Sequence, residues 1–401
     1  MMRWVVPLLC LVPVLAAAQG VEFDKSRVVR EVPQGQFIHL DASGRRSLAV
    51  AQHTVALTWE DNRNGSSSVY VAFKPLVGGD FAPAVKISKE GNAYEPAIAA
   101  LDDDNFVIGW EADSRLWMRR VSAKSVGPIQ ALGKINARQI SFSTGAGPVA
   151  GVAWSQRDGA HYRIAFTTVS RDGRGLSRQP PRWVDATTDR NEQLYPAVAV
   201  CADGFTVGWE DRREGATRIY VAFASRGGAF EHYRLLNDFT SSARPDLGHG
   251  TGAMRVGLAS DGQHRVVASW LDKRHFEGGY DVYAAFSDDG GRHFGADELV
   301  QDLLGENTPQ WHAAVAMAPQ GRTVVAWDDQ RDGTPDVWFS WKQASGWSDD
   351  FILGDAGGET AQRSPSLAFD ATGKLHAVWL SLDARGPRIY YQAVRLPDNQ
   401  P

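Results

Sequence analysis

Apolar residues fall along most of the chain in short runs, separated by polar clusters rich in Gly, Asp and Asn. The runs VALTW, FTVGW, RVVASW and TVVAW each end on a Trp, cross a polar turn, and lead into a second run at Val69-Tyr70, Ile219-Tyr220, Val282-Tyr283 or Val337-Trp338. Short apolar runs with a turn signal about every eight to twelve residues predict strands. No stretch carries the three-and-four spacing of an amphipathic helix, so the chain is expected to be all-β.

The turns after these runs repeat. Trp59-Glu60-Asp61-Asn62-Arg63, Trp209-Glu210-Asp211-Arg212-Arg213, Trp270-Leu271-Asp272-Lys273-Arg274 and Trp327-Asp328-Asp329-Gln330-Arg331 all read W-x-D-x-R. Looser copies surround Trp110 (with Asp113 and Arg115), Trp154 (Arg157-Asp158-Gly159) and Trp379 (Asp383, Arg385). The seven Trp are 44 to 61 residues apart. Each unit divides into four strands, and four-stranded units at this period predict a β-propeller. Seven blades are expected, with six as the alternative if the unit around Trp154 is an elaboration. The last unit stops after its third strand, and Phe23-Asp24-Lys25-Ser26-Arg27-Val28-Val29 resembles the missing fourth. An N-terminal strand completing the last blade would close the ring and leave no exposed edge.

Composition adds a destination. Residues 1–18 read as a signal peptide, with Arg3, an apolar core from Trp4 to Leu15, and Ala16-Ala17-Ala18 before Gln19. Residues 19–401 are then expected to form one exported, periplasmic or extracellular domain without a transmembrane segment. Beyond Cys10 only Cys201 remains, so no intrachain disulfide is expected. The chain has 42 Lys and Arg against 47 Asp and Glu, a net charge of −5. Charges are interspersed, which argues against nucleic acid as a partner. The expected form is a monomer. No metal-ligand spacing, phosphate loop or dinucleotide fingerprint occurs, so no metal or cofactor is expected.

Ser287-Asp288-Asp289-Gly290-Gly291-Arg292-His293-Phe294 fits S-x-D-x-G-x-x-F, between third and fourth strands. On this motif and its register with the repeats, the chain resembles the Asp-box (BNR-repeat) superfamily of sialidase-like propellers. The resemblance implies that Ser287, Asp289, Gly291 and Phe294 build a turn. It also implies a carbohydrate-handling protein, with sialidase-type hydrolysis among the activities. Sialidases use an arginine triad, a Tyr–Glu nucleophile pair and an acid/base Asp. Their Arg-Ile-Pro motif is absent here, where the early arginines are Arg27, Arg30, Arg45 and Arg46.

In a propeller, the loops leading into first strands and those joining second to third strands share one face around the channel, the expected ligand face. Asp61, Asp211, Asp272 and Asp329 are expected to brace the second-to-third loops. Arg63, Arg213, Arg274 and Arg331 either brace those loops or bind an anion at the channel mouth. Trp311 and His249 lie on the same face. Residues that break the repetition carry more chemistry: Tyr195, His312, Arg212, Tyr94 and Glu95 are the candidates for proton transfer on an acidic sugar. A polysaccharide lyase is one such outcome by fold analogy. The expected partner is an acidic glycan, or another protein if the propeller is a non-catalytic scaffold.

Overall fold

The computed structural model describes residues 20–40, 44–89, 91–145, 147–187, 191–237, 252–274, 279–302, 308–354 and 360–397. Seven antiparallel sheets follow one another and no helix occurs among the described residues, so the chain is a seven-bladed β-propeller. The inner strands are Leu48–Val50, Tyr94–Asp102, Ala137–Thr144, Gln193–Val200, Ala253–Ser260, Trp311–Met317 and Ala361–Phe369. The unit around Trp154 is a full blade, which removes the six-bladed alternative. There Gln156 stands where the stronger repeats have Asp, and it accepts the Trp154 indole N–H at 3.3 Å. That swap is why the copy looked weak in sequence.

The ring closes as the pattern predicts. Glu22–Phe23 and Arg27–Glu31 both pair antiparallel with Gly386–Arg395 of the last blade. Seven buried apolar clusters occupy the seven contacts between neighbouring blades, and each contains one of the repeat Trp residues. Cross-strand stacking supports this layer: Trp59 on Tyr70, Trp209 on Tyr220, Trp270 on Tyr283 and Trp379 on Tyr390, with centroids 5.8–6.4 Å apart.

The W-x-D-x-R corner has one construction. Each Asp carboxylate accepts the indole N–H of its own Trp, at 2.9 Å for Asp61, 3.3 Å for Asp211 and 3.0 Å for both Asp272 and Asp329. The same carboxylates bind the following Arg, which lies over a third-strand aromatic: Arg63 is 3.8 Å from the Tyr70 centroid and Arg274 3.7 Å from that of Tyr283. At the opposite end of the blades, the Ser287–Phe294 turn is built the same local way. Asp289 accepts the amides of Arg292 and His293 at 3.0 and 2.9 Å, and Ser287 Oγ accepts that of Gly291 at 2.9 Å. The Asp-box resemblance therefore holds at the level of the fold.

Blade one departs from the others. Its first strand is interrupted between Ile38–His39 and Leu48–Val50, and residues 44–46 reach other blades across the channel. Gly44 O accepts from Ser141 in blade three, and Arg46 Nη2 donates to Leu258 O in blade five at 2.6 Å. A Cβ on Gly44 would lie 2.6 Å from Pro196 O, so only glycine fits this crossing without movement. Gly44→Ala is expected to cost about 1–3 kcal/mol through overpacking, read as a lower denaturation midpoint.

Candidate functional site

Six inner strands share a bulge near their start. The register shifts after Tyr94, Arg138, Leu194, Met254, Trp311 and Arg363. The next residue in each is left-handed: Glu95 (φ 53°), Gln139 (60°), Tyr195 (51°), Arg255 (58°), His312 (49°) and Ser364 (55°). Such residues cost about 1 kcal/mol or more each and cluster where side chains must be re-aimed. In blade one the equivalent position is Arg45, because Ser47 O accepts from Thr58 as the residue after the bulge does elsewhere. Arg45, Glu95, Gln139, Tyr195, Arg255 and His312 line a cavity of about 230 Å³ at the channel mouth, floored by Gly44 and edged by His39.

The bulge turns one amide out of the ladder, and in five blades the preceding blade binds it. Glu60 accepts the amide of Glu95 at 3.0 Å, Glu111 that of Gln139 at 2.6 Å, and Glu210 that of Arg255 at 2.7 Å. Asp328 accepts that of Ser364 at 2.9 Å. After Trp154 the residue is Ser155, whose hydroxyl donates at 2.8 Å to the Gln139 oxygen that accepts the Tyr195 amide at 3.0 Å. The residue after the repeat Trp thus holds the bulge residue of the next blade directly at four contacts and through Gln139 at a fifth, whereas Leu271 and Leu380 carry no acceptor at the other two.

Two clusters stand out in the mouth. Asp328 Oδ1 lies 2.8 Å from His312 Nδ1. A carboxylate only accepts, so Nδ1 carries the proton and Nε2 is the basic nitrogen. Beside it, the Arg255 guanidinium covers the face of Tyr195 at 3.4 Å and reaches Glu210 at 3.5 Å. Across the mouth Arg45 pairs with Glu95 and lies 3.9 Å from Glu111. Burial opposes ionisation of Glu95, but Arg45 outweighs it and holds the carboxyl below the usual range. Burial, and then the Glu95 charge, push Glu111 up to about 7.

A raised carboxyl makes a stability contribution that is present below its unfolded value of 4.5 and is lost as pH rises through about 7. Glu111→Gln keeps an acceptor for the Gln139 amide without a titrating proton. It is expected to remove a decline of about 2 kcal/mol between those pH values, read as the difference between variant and parent unfolding curves.

The sequence candidates divide sharply. Tyr195, His312 and Glu95 meet in the mouth. Tyr94 and Trp311 sit one residue outside it; Trp311 packs on Tyr280 at 5.4 Å, and Tyr94 is half-buried. Arg212 is not among the cavity's lining residues, and its Nε donates to Thr217 Oγ1 at 3.2 Å. The anion-binding expectation for Arg63, Arg213, Arg274 and Arg331 needs correction. Each is held by its own Asp over an aromatic, and the last three by a further acid: Asp185, Asp297 and Asp350, each at 2.7–2.8 Å. His249 lies outside the described residues. A Tyr–Glu pair exists, Tyr220 to Glu214 at 2.7 Å, but beneath the W-x-D-x-R turn, beside Arg213 and Arg218 and not an arginine triad. The sialidase constellation is therefore not assembled among the described residues. Nor is any group of three or more His, Cys, Asp or Glu there arranged to hold a metal.

Arg45, Arg255, Gln139 and His39 were not singled out from the sequence. A signal was present for all but His39: each bulge-position residue of the mouth precedes its blade's repeat Trp by 14 or 15 positions.

No family model matches the sequence, and no curated protein matches it. Solved structures do share its architecture. An ulvan lyase bound to -[GlcA(1-4)Rha3S]- superposes with a TM-score of 0.57 at 9% identity, over 92% of this chain and 94% of that one. The α-L-arabinofuranosidase of Fusarium graminearum gives 0.49 at 11% identity, over 78% and 95%. The Trypanosoma rangeli sialidase gives 0.43 at 9%, over 93% and 59%. At these identities the likeness is one of fold.

Proposed function

We propose that this is an exported, carbohydrate-acting propeller that cleaves an acidic polysaccharide by β-elimination at the channel mouth. The observation that carries the reading is His312, fixed by Asp328 with Nε2 as its base, in one cavity with Tyr195 and Arg255. In this scheme Arg255 pairs with a uronate carboxylate and stabilises the charge that develops when the proton on the adjacent carbon leaves. His312 Nε2 takes that proton. The C–O bond to the leaving sugar breaks, Tyr195 donates its hydroxyl proton to the departing oxygen, and a C=C bond forms in the uronate ring. Protons return to Tyr195 and from His312 through water, so the step needs no further reactant. The lyase that shares the fold, and is bound to a glucuronate-containing unit, supports the choice of substrate class. Export rests on the leader read in residues 1–18.

One observation favours a second reading. Glu95 and Glu111 have proton affinities pushed apart, the condition for an acid and base in glycoside hydrolysis by two carboxylates; sialidase-type cleavage, which uses a Tyr nucleophile, would need a different set of groups. Products separate the two. Incubation with a panel of uronic-acid polysaccharides and a fluorogenic sialoside should yield an ultraviolet-absorbing unsaturated uronate. Saturated reducing sugars or free sialic acid would overturn elimination in favour of hydrolysis. No product from a folded protein would leave the propeller a binding scaffold for a glycan or a protein.

A further inference from the structure

Beneath the mouth the channel continues as a separate cavity of about 130 Å³, walled by the inner strands. Its lining includes Ile98, Ala99, Met317 and Leu367, with Ser143, Thr144 and Ser260 as hydroxyl groups, and among the described residues Arg46 is the only charged one in it. The chain segment that carries Gly44 and Arg45 into the floor of the mouth carries Arg46 into this lower space. The guanidinium is half-buried in this space, where a cation held away from bulk water gains from a nearby counter-charge. Here one neutral acceptor, Leu258 O at 2.6 Å, is in place, and no carboxylate among the described residues lies within ion-pair distance of Arg46. Burial accordingly pulls the Arg46 guanidinium down to about 10.

We propose that this lower channel is an anion site, in which the Arg46 guanidinium holds one small monovalent inorganic anion of chloride size. A single cation with no second positive group matches one negative charge; a dianion would exchange one uncompensated charge for another. The 130 Å³ volume limits the occupant to a small ion with part of its hydration shell. The segment Gly44–Arg46 separates this ion from the mouth, so it reaches its site from the Asp-box face. The site is independent of the elimination reading and serves to fasten the crossing segment that floors the mouth.

Thermal unfolding of the full mature chain tests this at constant ionic strength, with chloride replaced by gluconate, which is too large for the cavity. Over a hundredfold rise in chloride the midpoint should climb by about 3 °C in the parent. In Arg46→Met, which keeps the stem and removes the charge, that slope should vanish. An equal chloride response in both proteins, no response in the parent, or a larger response to sulfate would each overturn the proposal. Bromide-soaked crystals of the parent protect the test against a variant that fails to fold. An anomalous peak within hydrogen-bond reach of the Arg46 guanidinium supports the site, and a channel without one sinks it.

Discussion

His312→Ala is expected to lower kcat/KM on a uronic-acid polysaccharide about a thousandfold, within the range for loss of a positioned acid or base. The protein should keep its fold, because the imidazole is half exposed, with 46% of its side-chain surface accessible. The backbone there is already left-handed, and Ala meets the same φ of 49° as His. Asp328→Asn separates positioning from proton transfer. The amide oxygen still accepts the Ser364 N–H, yet the group no longer offers a carboxylate to both Ser364 and His312 Nδ1. Its expected signature is a fall in kcat with KM little changed, because Arg255 and Tyr195 still bind the substrate. Steady-state kinetics with a circular-dichroism check on folding decide both. A His312→Ala protein with parental turnover would remove His312 from the chemistry.

Much of this architecture is written in the sequence, and the reason is visible in the blades. Each repeat Trp is buried in a contact between blades, so each of the seven contacts leaves an aromatic marker at a regular interval. The closing strand was legible for a similar reason: an unpaired third strand at one terminus and a matching fourth at the other complete one sheet. The mouth was harder to read because it depends on a bulge. Alternation reports which face of a sheet a residue occupies, but a bulge re-aims one residue without altering the apolar pattern around it. Glu95, Tyr195 and His312 were therefore noticed as exceptions, whereas Arg45, Gln139 and Arg255 were not. The residue after each Trp was treated as variable, although Glu60, Glu111, Glu210 and Asp328 there hold the amides of the next blade. The crossing segment of blade one has no counterpart in the other repeats, so periodicity could not place it.

The repeated corner should behave in the opposite way to the mouth. Asp211→Ala is expected to cost about 3–5 kcal/mol, the range for removing one partner of a buried ion pair, and to lower the melting temperature by about 4–6 °C. Asp211 is fully buried and accepts the Trp209 indole at 3.3 Å, the Arg213 amide at 2.8 Å and the Arg213 guanidinium at 2.5 Å. Burial opposes the charge on Arg213, and Asp211 together with Asp185 more than offsets it. In the variant Asp185 alone would answer that charge, while Nε and Nη1 of Arg213 already lack protein acceptors. Turnover per folded molecule should stay within about twofold, because Asp211 braces its turn outside the mouth cavity. Asp272→Ala should show the same pairing of lost stability and kept turnover, since Asp272 makes the equivalent bonds to Trp270 and Arg274 at 3.0 and 2.7 Å. Paired thermal melts and initial rates give the answer. Native stability with lost turnover in either variant would return the W-x-D-x-R corner to the list of substrate-binding groups.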